Sequence, residues 1–231
     1  MAGSDITIPG PDGDFTGYLA RPTAPNGAAI VAIQEIFGVN GVMRGIADDL
    51  AAQGYLVLCP DLFWRIEPGV QLTDASEAEW KKAFALYQAF NVDTGVQDIA
   101  TTIAFLRSAH GATKVGAVGF CLGGLLAYLT ATRTDADASV SYYGVGIDQK
   151  LDEATKITKP LMLHIAEEDG FVSKDAQATI RAGLAGNGAV TVHDYPGVDH
   201  GFARTAGNHY DAGAAALAAE RTSAFFKASL T

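Results

Sequence analysis

The sequence predicts an α/β fold in which a mostly parallel sheet carries helices on both faces. Apolar runs of strand length, such as Ala28–Gln34, alternate along the chain with segments of helical pattern. Such runs are apolar throughout, as expected of strands that are buried on both faces of a sheet. The chain has no linker, internal repeat or low-complexity tract, so its 231 residues are predicted to form a single domain.

The predicted elements follow in chain order. An antiparallel hairpin is expected at Ile6–Ile8 and Phe15–Ala20, around a turn rich in Gly and Pro. Further strands are expected at Ala28–Gln34, Tyr55–Pro60, Lys114–Phe120, Ser139–Tyr143, Leu161–Ala166 and Val190–Tyr195. Helices are expected at Met43–Gln53, Ser76–Phe90, Asp93–Ala109, from Leu122 onward, at Ser173–Leu184 and at Tyr210–Ser229. The capping box Ser76-Glu77-Ala78-Glu79 opens the second of these helices. Leu62–Thr73 is expected to be irregular, and the segment between Tyr143 and Leu161 is expected to be a loop.

Composition excludes several classes of function. A hydrophobic content of 48% supplies enough apolar material for one sizeable core, and a formal charge of −10 argues against a nucleic-acid partner. The N-terminus lacks the features of a signal peptide, and no apolar run approaches the ~18 residues that span a bilayer. The two cysteines, Cys59 and Cys121, form no C-x-x-C pair and no metal-ligand cluster. We therefore expect a reduced, cytoplasmic protein without membrane or metal.

A short motif lies between a predicted strand and a predicted helix. Gly119-Phe120-Cys121-Leu122-Gly123 has the form G-x-C-x-G, which with Ser at its centre is the nucleophile elbow of α/β-hydrolases. Glycines flank such a tight turn because its backbone is strained, and the amides of the following helix favour a thiolate. The alternative is that Cys121 is a small buried residue where a strand and a helix pack closely.

A thiol nucleophile needs a base, and histidine is the usual one. His200 alone among the five histidines follows a predicted strand and lies in a loop between glycines. The others lie inside predicted strands, at the end of a helix, or at the edge of the last helix: His164, His193, His110 and His209. His200 is therefore the candidate base.

The base in turn needs an acid to orient it. Asp169 follows the seventh predicted strand, with Glu167 and Glu168 as rivals and three solvated surface acids as the alternative. The order Cys121, Asp169, His200 is nucleophile, acid, base, as in α/β-hydrolases. Because ligands of α/β sheets bind at the carboxyl ends of the strands, these three residues are predicted to meet there.

Five blocks of the chain resemble the dienelactone hydrolases, also called carboxymethylenebutenolidases. They are Gln34-Glu35-Ile36-Phe37-Gly38-Val39-Asn40, Cys59-Pro60-Asp61-Leu62, Gly119-Phe120-Cys121-Leu122-Gly123-Gly124, Tyr142-Tyr143-Gly144-Val145-Gly146 and His200-Gly201-Phe202-Ala203-Arg204-Thr205. The similarity runs from about Ala28 to the final helix. It implies an α/β-hydrolase fold and a cofactor-free enzyme that opens the lactone of dienelactone to maleylacetate, in bacterial breakdown of aromatic compounds.

The resemblance also implies roles for individual residues. Cys121 matches the family nucleophile, His200 the base and Asp169 the acid of the triad. The backbone amides of Ile36 and Leu122 match the oxyanion hole.

Two charged residues have further implied roles. Glu35 matches a carboxylate beside the nucleophile, and Arg204 matches a ligand of the substrate carboxylate. A guanidinium suits that role because it can hold both oxygens of a carboxylate. The alternative for Arg204 is a salt bridge to Glu35 or a surface position.

The sequence departs from the family pattern in the helix before Phe90. The family supplies an arginine and a tyrosine to the pocket there, whereas this chain places Trp80 and Phe84 at those positions. The pocket is therefore expected to be more apolar, which weakens the case for a strongly carboxylate-bearing substrate. Two alternatives stay open: a broader carboxylesterase or thioesterase of the same family, and a reactive-thiol sensor without turnover.

Overall fold

The computed structural model describes residues 3–231 and contains an eight-stranded sheet. Its strands are β1 (Ser4–Ile8), β2 (Phe15–Ala20), β3 (Ala28–Ile33), β4 (Leu56–Pro60), β5 (Lys114–Phe120), β6 (Ala138–Tyr142), β7 (Leu161–Ala166) and β8 (Val190–Tyr195). Their order in the sheet is β1-β2-β4-β3-β5-β6-β7-β8. β1 and β2 are antiparallel to their neighbours, and the strands from β3 to β8 run parallel. The prediction of a mostly parallel sheet with an N-terminal hairpin is confirmed.

Helices cover both faces of this sheet. They are α1 (Gly41–Ala52), α2 (Glu77–Ala89), α3 (Val92–His110), α4 (Leu122–Arg133), α5 (Lys174–Leu184) and α6 (Ala212–Leu230). α1 and α6 share one face, where Ser223 donates a hydrogen bond to Gln53 at 2.8 Å. α3 and α4 pack against each other on the other face. α2 stands apart from the sheet and contributes to the cavity described below.

The ends of the helices follow from local hydrogen bonds. At the N-terminus of five helices, the side chain of the N-cap residue accepts a hydrogen bond from a backbone amide of the first turn. These N-cap residues are Asn40, Ser76, Asn91, Ser173 and Asp211. Asp211 explains why α6 begins at Ala212 and not at Tyr210, as the sequence had suggested. Gly111 ends α3 in the left-handed conformation, with φ of 70°. Each predicted helix and strand agrees with the structure to within two residues at its ends, apart from α4, for which only the start was predicted.

The expected loop between β6 and β7 was wrong over most of its length. Ile147–Lys156 is a 3₁₀ helix. Two side chains of α4 hold this helix in place. The Nε atom of Arg133 donates to the carboxylate of Glu153 at 2.9 Å, and the hydroxyl of Tyr128 donates to the carbonyl of Lys150 at 3.0 Å. These contacts join residues about twenty positions apart, so the local pattern of hydrophobic residues did not indicate them.

Burial shifts the pKa of two polar side chains in the core, Cys59 and His164. Cys59 on β4 has no exposed surface, and burial raises the pKa of its thiol. His164 on β7 lies between the hydroxyls of Tyr195 and Thr222, at 2.7 and 2.9 Å. Burial lowers the pKa of His164 to about 3, so it is a neutral core residue. Within residues 3–231, no helix combines the length and apolarity that a bilayer crossing requires.

The ion pair of the 3₁₀ helix makes stability depend on acid pH. The hydrogen bond from Arg133 lowers the pKa of Glu153 from 4.5 to about 2, although burial opposes this shift. Since the pKa is lower in the folded protein, the stabilisation is present above about pH 4.5 and is lost as pH falls toward 2. We expect Glu153→Gln to lower the free energy of unfolding at neutral pH by about 1–3 kcal/mol.

Urea unfolding across this pH range measures the effect. The Glu153→Gln variant should lose less stability than the wild type between pH 4.5 and 2, whereas Glu220→Gln, at an exposed position of α6, should behave like the wild type. Equal stability of wild type and Glu153→Gln at neutral pH would show that the ion pair does not hold the 3₁₀ helix.

Candidate active site

Cys121 occupies a strained turn between β5 and α4. Its φ of 57° and ψ of −114° are unfavourable for a residue with a side chain. The turn is so tight that a Cβ atom on Gly119 would lie 1.8 Å from the carbonyl oxygen of Gly123. A Cβ atom on Gly123 would lie 2.4 Å from the carbonyl oxygen of Ile33 on the neighbouring strand. Both flanking glycines are therefore required by geometry, as the sequence predicted for an elbow.

The structure brings the three predicted residues of the triad to one edge of the sheet. Cys121 follows β5, Asp169 follows β7 and His200 follows β8. All three are buried, with exposed fractions of 8% for Cys121, 8% for Asp169 and 3% for His200.

Asp169 is the acid that contacts His200. The Nδ1 atom of His200 lies 3.1 and 3.0 Å from the two carboxylate oxygens of Asp169. The carboxylate is fixed by the amides of Phe171 and Val172, which donate to its Oδ1 atom at 2.8 and 3.1 Å. The rival Glu168 is exposed and pairs with Lys174 instead. The geometry therefore separates Asp169 from its neighbours.

A further aspartate fastens the two loops that carry this pair. The Oδ1 atom of Asp199 accepts from the amide of Gly170 at 2.9 Å and from the amide of His200 at 2.6 Å. The first amide belongs to the loop of Asp169, and the second belongs to the loop of the histidine. One carboxylate oxygen therefore sets the spacing of acid and base.

The second ring nitrogen of His200 is left without a protein partner among the residues that the structure describes. Its Nε2 atom is buried and has no hydrogen-bond partner within residues 3–231. Burial alone would lower the pKa of His200, but the electrostatic interaction with Cys121 and the hydrogen bond and charge of Asp169 outweigh it and raise the pKa. The raised pKa favours the protonated imidazole, which lines the same cavity as the Cys121 side chain. The site can therefore supply a nucleophile and a proton from adjacent positions.

Glu35 and Arg204 form a buried ion pair beside these residues. The Nε and Nη2 atoms of Arg204 donate to the two carboxylate oxygens of Glu35 at 2.7 and 3.0 Å. The exposed fractions are only 2% for Glu35 and 7% for Arg204. Burial would lower the pKa of Arg204, but the charge of Glu35 outweighs it and raises the pKa. The salt bridge that the sequence left as an alternative is thus the arrangement found, and Arg204 still borders the cavity.

A cleft opens above Cys121. Its lining is mainly apolar and aromatic, and consists of Ile36, Phe37, Trp80, Phe84, Tyr87, Cys121, Val145, Phe171, His200 and Arg204. Trp80 and Phe84 stack on each other with ring centroids 5.5 Å apart. Both therefore lie in the wall where the sequence placed them, and they make that wall apolar.

Two backbone amides complete the candidate site. The amides of Ile36 and Leu122 donate to no carbonyl or side chain in the described part of the chain. Leu122 is the first residue of α4, where unpaired amides and the helix dipole favour negative charge. The amides are suited to stabilise an oxyanion on a group bound to Cys121.

Sequence reasoning missed three residues of the site. Tyr143 follows β6 with φ of 38°, its ring centroid is 4.9 Å from that of His200, and its buried hydroxyl lacks a partner among residues 3–231. Burial, together with the charge of Glu35, raises its pKa. Tyr143 could have been identified from the sequence, because it lies at the carboxyl end of a predicted strand, where ligands of α/β sheets bind. No local pattern indicated Phe171, whose ring centroid is 4.8 Å from that of His200, or Asp74, whose carboxylate binds Arg204.

The described residues contain no group of three or more His, Cys, Asp or Glu placed to hold a metal ion.

Comparison with known proteins identifies the family of the chain. The profile of the Dienelactone hydrolase family matches residues 15–230. A candidate carboxymethylenebutenolidase of Azospirillum brasilense is 51% identical over 97% of this chain and 98% of its own length. The carboxymethylenebutenolidase of Pseudomonas putida is 40% identical over 96% of this chain and 94% of its own length.

A solved structure shows the same fold. A candidate dienelactone hydrolase from Klebsiella pneumoniae has a TM-score of 0.85 and 25% identity, covering 97% of this chain and 98% of its own. The fold is therefore the α/β-hydrolase fold. On the family match and the nearly full-length identity to carboxymethylenebutenolidases, the chain belongs to the dienelactone hydrolase family of hydrolytic enzymes.

Proposed function

We propose that the protein opens the lactone ring of dienelactone, or of a close relative, to maleylacetate with Cys121 as nucleophile. The observation that carries this proposal is the position of Cys121 on the strained turn, in one cavity with the free Nε2 atom of a histidine that Asp169 orients. The names of relatives at 40% and 51% identity support the substrate. The activity belongs, on this proposal, to cytoplasmic breakdown of aromatic compounds by one domain without a cofactor.

The proposed reaction follows from the geometry. The thiolate of Cys121 attacks the ring carbonyl, and the resulting oxyanion binds the amides of Ile36 and Leu122. Each such donor typically contributes ~10²–10³ in rate. The ring C–O bond then breaks, and the leaving oxygen takes the proton of His200. Water attacks the thioester and gives a proton to His200, and the C–S bond breaks to restore the thiolate.

The ion pair of Glu35 and Arg204 provides a way to couple this reaction to substrate binding. A carboxylate near Cys121 does not favour a thiolate by its charge, because like charges repel. We propose that the substrate carboxylate takes Arg204 and that Glu35, released from its partner, accepts the proton of the Cys121 thiol to form the attacking thiolate. Glu35 returns this proton to Cys121 when the product leaves and Arg204 pairs with Glu35 again. The bidentate contact of Glu35 with Arg204 supports this exchange of one carboxylate for another.

A broader esterase or thioesterase is the second candidate function. The aromatic wall formed by Trp80 and Phe84 favours it, because an uncharged acyl or aryl group packs there without loss of hydration. A reactive-thiol sensor is the third candidate function, and turnover distinguishes it from a hydrolase. A sensor consumes one equivalent of an activated ester, whereas a hydrolase continues.

Replacing the nucleophile should abolish turnover. We expect Cys121→Ala to lower kcat for dienelactone by at least ~10³-fold, since no other thiol reaches the cavity. Iodoacetamide should modify Cys121 with loss of activity, whereas Cys59 should react slowly because it is fully buried. Cys59→Ala is the matched control and should keep activity. A Cys121→Ala enzyme with more than a few per cent of wild-type kcat would refute the mechanism.

Removing the charge of Glu35 should slow catalysis without unfolding the protein. Glu35→Gln keeps the shape of the side chain but removes the proposed proton acceptor, so we expect kcat to fall ~10²-fold or more. Steady-state kinetics measures the fall, and thermal melting checks the fold. Wild-type turnover in this variant would remove Glu35 from the mechanism.

Arg204 should matter for anionic substrates only. Because loss of a charge-assisted pair typically costs ~2–4 kcal/mol, Arg204→Ala should cut kcat/KM for dienelactone roughly 30- to 1000-fold. Neutral aryl acetates should change little, and Trp80→Arg should shift preference toward the carboxylate substrate. The measurement is the ratio of the two specificity constants in each variant. Equal losses on both substrates in Arg204→Ala would mean that this arginine is structural.

A further inference from the structure

Asp74 holds together three segments around the cavity. It lies in the segment between β4 and α2, and its side chain is only 9% exposed. Its Oδ2 atom accepts from Nη1 of Arg204 at 3.0 Å and from the amide of Asn208 at 3.2 Å. Its carbonyl oxygen accepts from the indole Nε1 of Trp80 at 3.1 Å and from the side-chain amide of Asn208 at 3.3 Å. The segment before α2, α2 itself and the loop after β8 therefore meet at this residue.

The charges at this junction do not balance. Arg204 carries one positive charge and binds two carboxylates, those of Glu35 and Asp74. The three side chains together carry a net charge of −1 beside a largely apolar cleft. An anionic substrate group that approaches Arg204 therefore meets a cation that is already overcompensated.

The shape of the guanidinium group sharpens this conflict. A guanidinium can hold both oxygens of a carboxylate along two edges, Nε with Nη2 or Nη1 with Nη2. Glu35 occupies the first edge of Arg204. The second edge includes Nη1, which donates to Asp74. A substrate carboxylate must therefore compete with Asp74 even before Glu35 is displaced.

We propose that Asp74 tunes substrate selectivity by competing for Arg204, so that its charge reduces the advantage that a carboxylate-bearing substrate gains from this arginine over an uncharged ester. The proposal rests on the proposed function only in that esters react at Cys121. Asp74 also holds Trp80 through its carbonyl oxygen, so the competing carboxylate and the aromatic wall are fixed by the same residue. Both features narrow the preference of the site for a carboxylate-bearing substrate over an uncharged one.

Asp74→Asn is the informative variant. Asparagine has the same shape and an oxygen that can accept from Asn208, and both contacts of the backbone carbonyl are kept. Only the charge is removed. The substrates are 4-nitrophenyl hydrogen glutarate and its methyl ester, which share an acyl chain and differ in the charge of its far end.

We expect Asp74→Asn to raise kcat/KM for the anionic ester about 10-fold relative to the methyl ester, mainly through a lower KM. Introducing Asp74→Asn into Arg204→Ala should give no gain, because the effect acts through the arginine. Thermal melting checks the fold, and Asp74→Ser serves as the second variant if Asp74→Asn is unstable.

Glu79→Gln is the matched control. It removes one negative charge close to Asp74, but its carboxylate contacts Thr73 and Ser76 and not Arg204. It should leave the ratio of the two esters unchanged. An unchanged or lower ratio in Asp74→Asn, or an equal gain in Glu79→Gln, would overturn the proposal.

A binding measurement separates this proposal from the assignment of the reaction. Calorimetric titration with glutarate needs no turnover, and the dissociation constant should fall about 10-fold in Asp74→Asn. If neither enzyme opens dienelactone but the ester ratio shifts, the substrate assignment fails and the role of Asp74 stands. If glutarate binds wild type and Asp74→Asn equally, the role of Asp74 fails whatever the substrate.

Discussion

The close approach of β5 to the start of α4 sets the position of everything else in the site. The carbonyl oxygens of Gly123 and Ile33 leave no room for a side chain at Gly119 or Gly123. Cys121 is consequently held in a conformation that a residue with a side chain seldom adopts. The packing of α4, in which Leu122–Thr132 are all buried, compensates for this strain. This conformation raises the Cys121 side chain above the edge of the sheet. There it lies beside backbone amides and lines one cavity with residues that follow other strands.

Buried charge is the second constraint. Glu35, Arg204, Asp169 and His200 are all at least nine-tenths buried, and each is paired. Burial of unpaired charges would be costly, so the pairs hold each other in place. A site of this kind responds to a ligand by exchanging partners, because no charged group can be left without one.

The fold and most of the site could be predicted because their causes are local. Runs of apolar residues marked the strands, capping residues marked the helix starts, and the strand-end rule placed Cys121, Asp169 and His200 at one edge. The 3₁₀ helix and Asp74 could not be predicted in the same way. Each depends on an arginine far along the chain, Arg133 in one case and Arg204 in the other. Only the folded chain shows that Arg133 meets Glu153 and that Arg204 also meets Asp74.

The single oxygen of Asp199 that accepts from Gly170 and His200 has a consequence for motion. It links the loop after β7 to the loop after β8, and the contact of His200 with Asp169 links them again. The acid and the base are therefore expected to shift as one body. Phe84 on α2, in the opposite wall, is 37% exposed and takes no part in this linkage. Rearrangement of the Phe84 side chain around a bulky ester would therefore leave the spacing of acid and base unchanged.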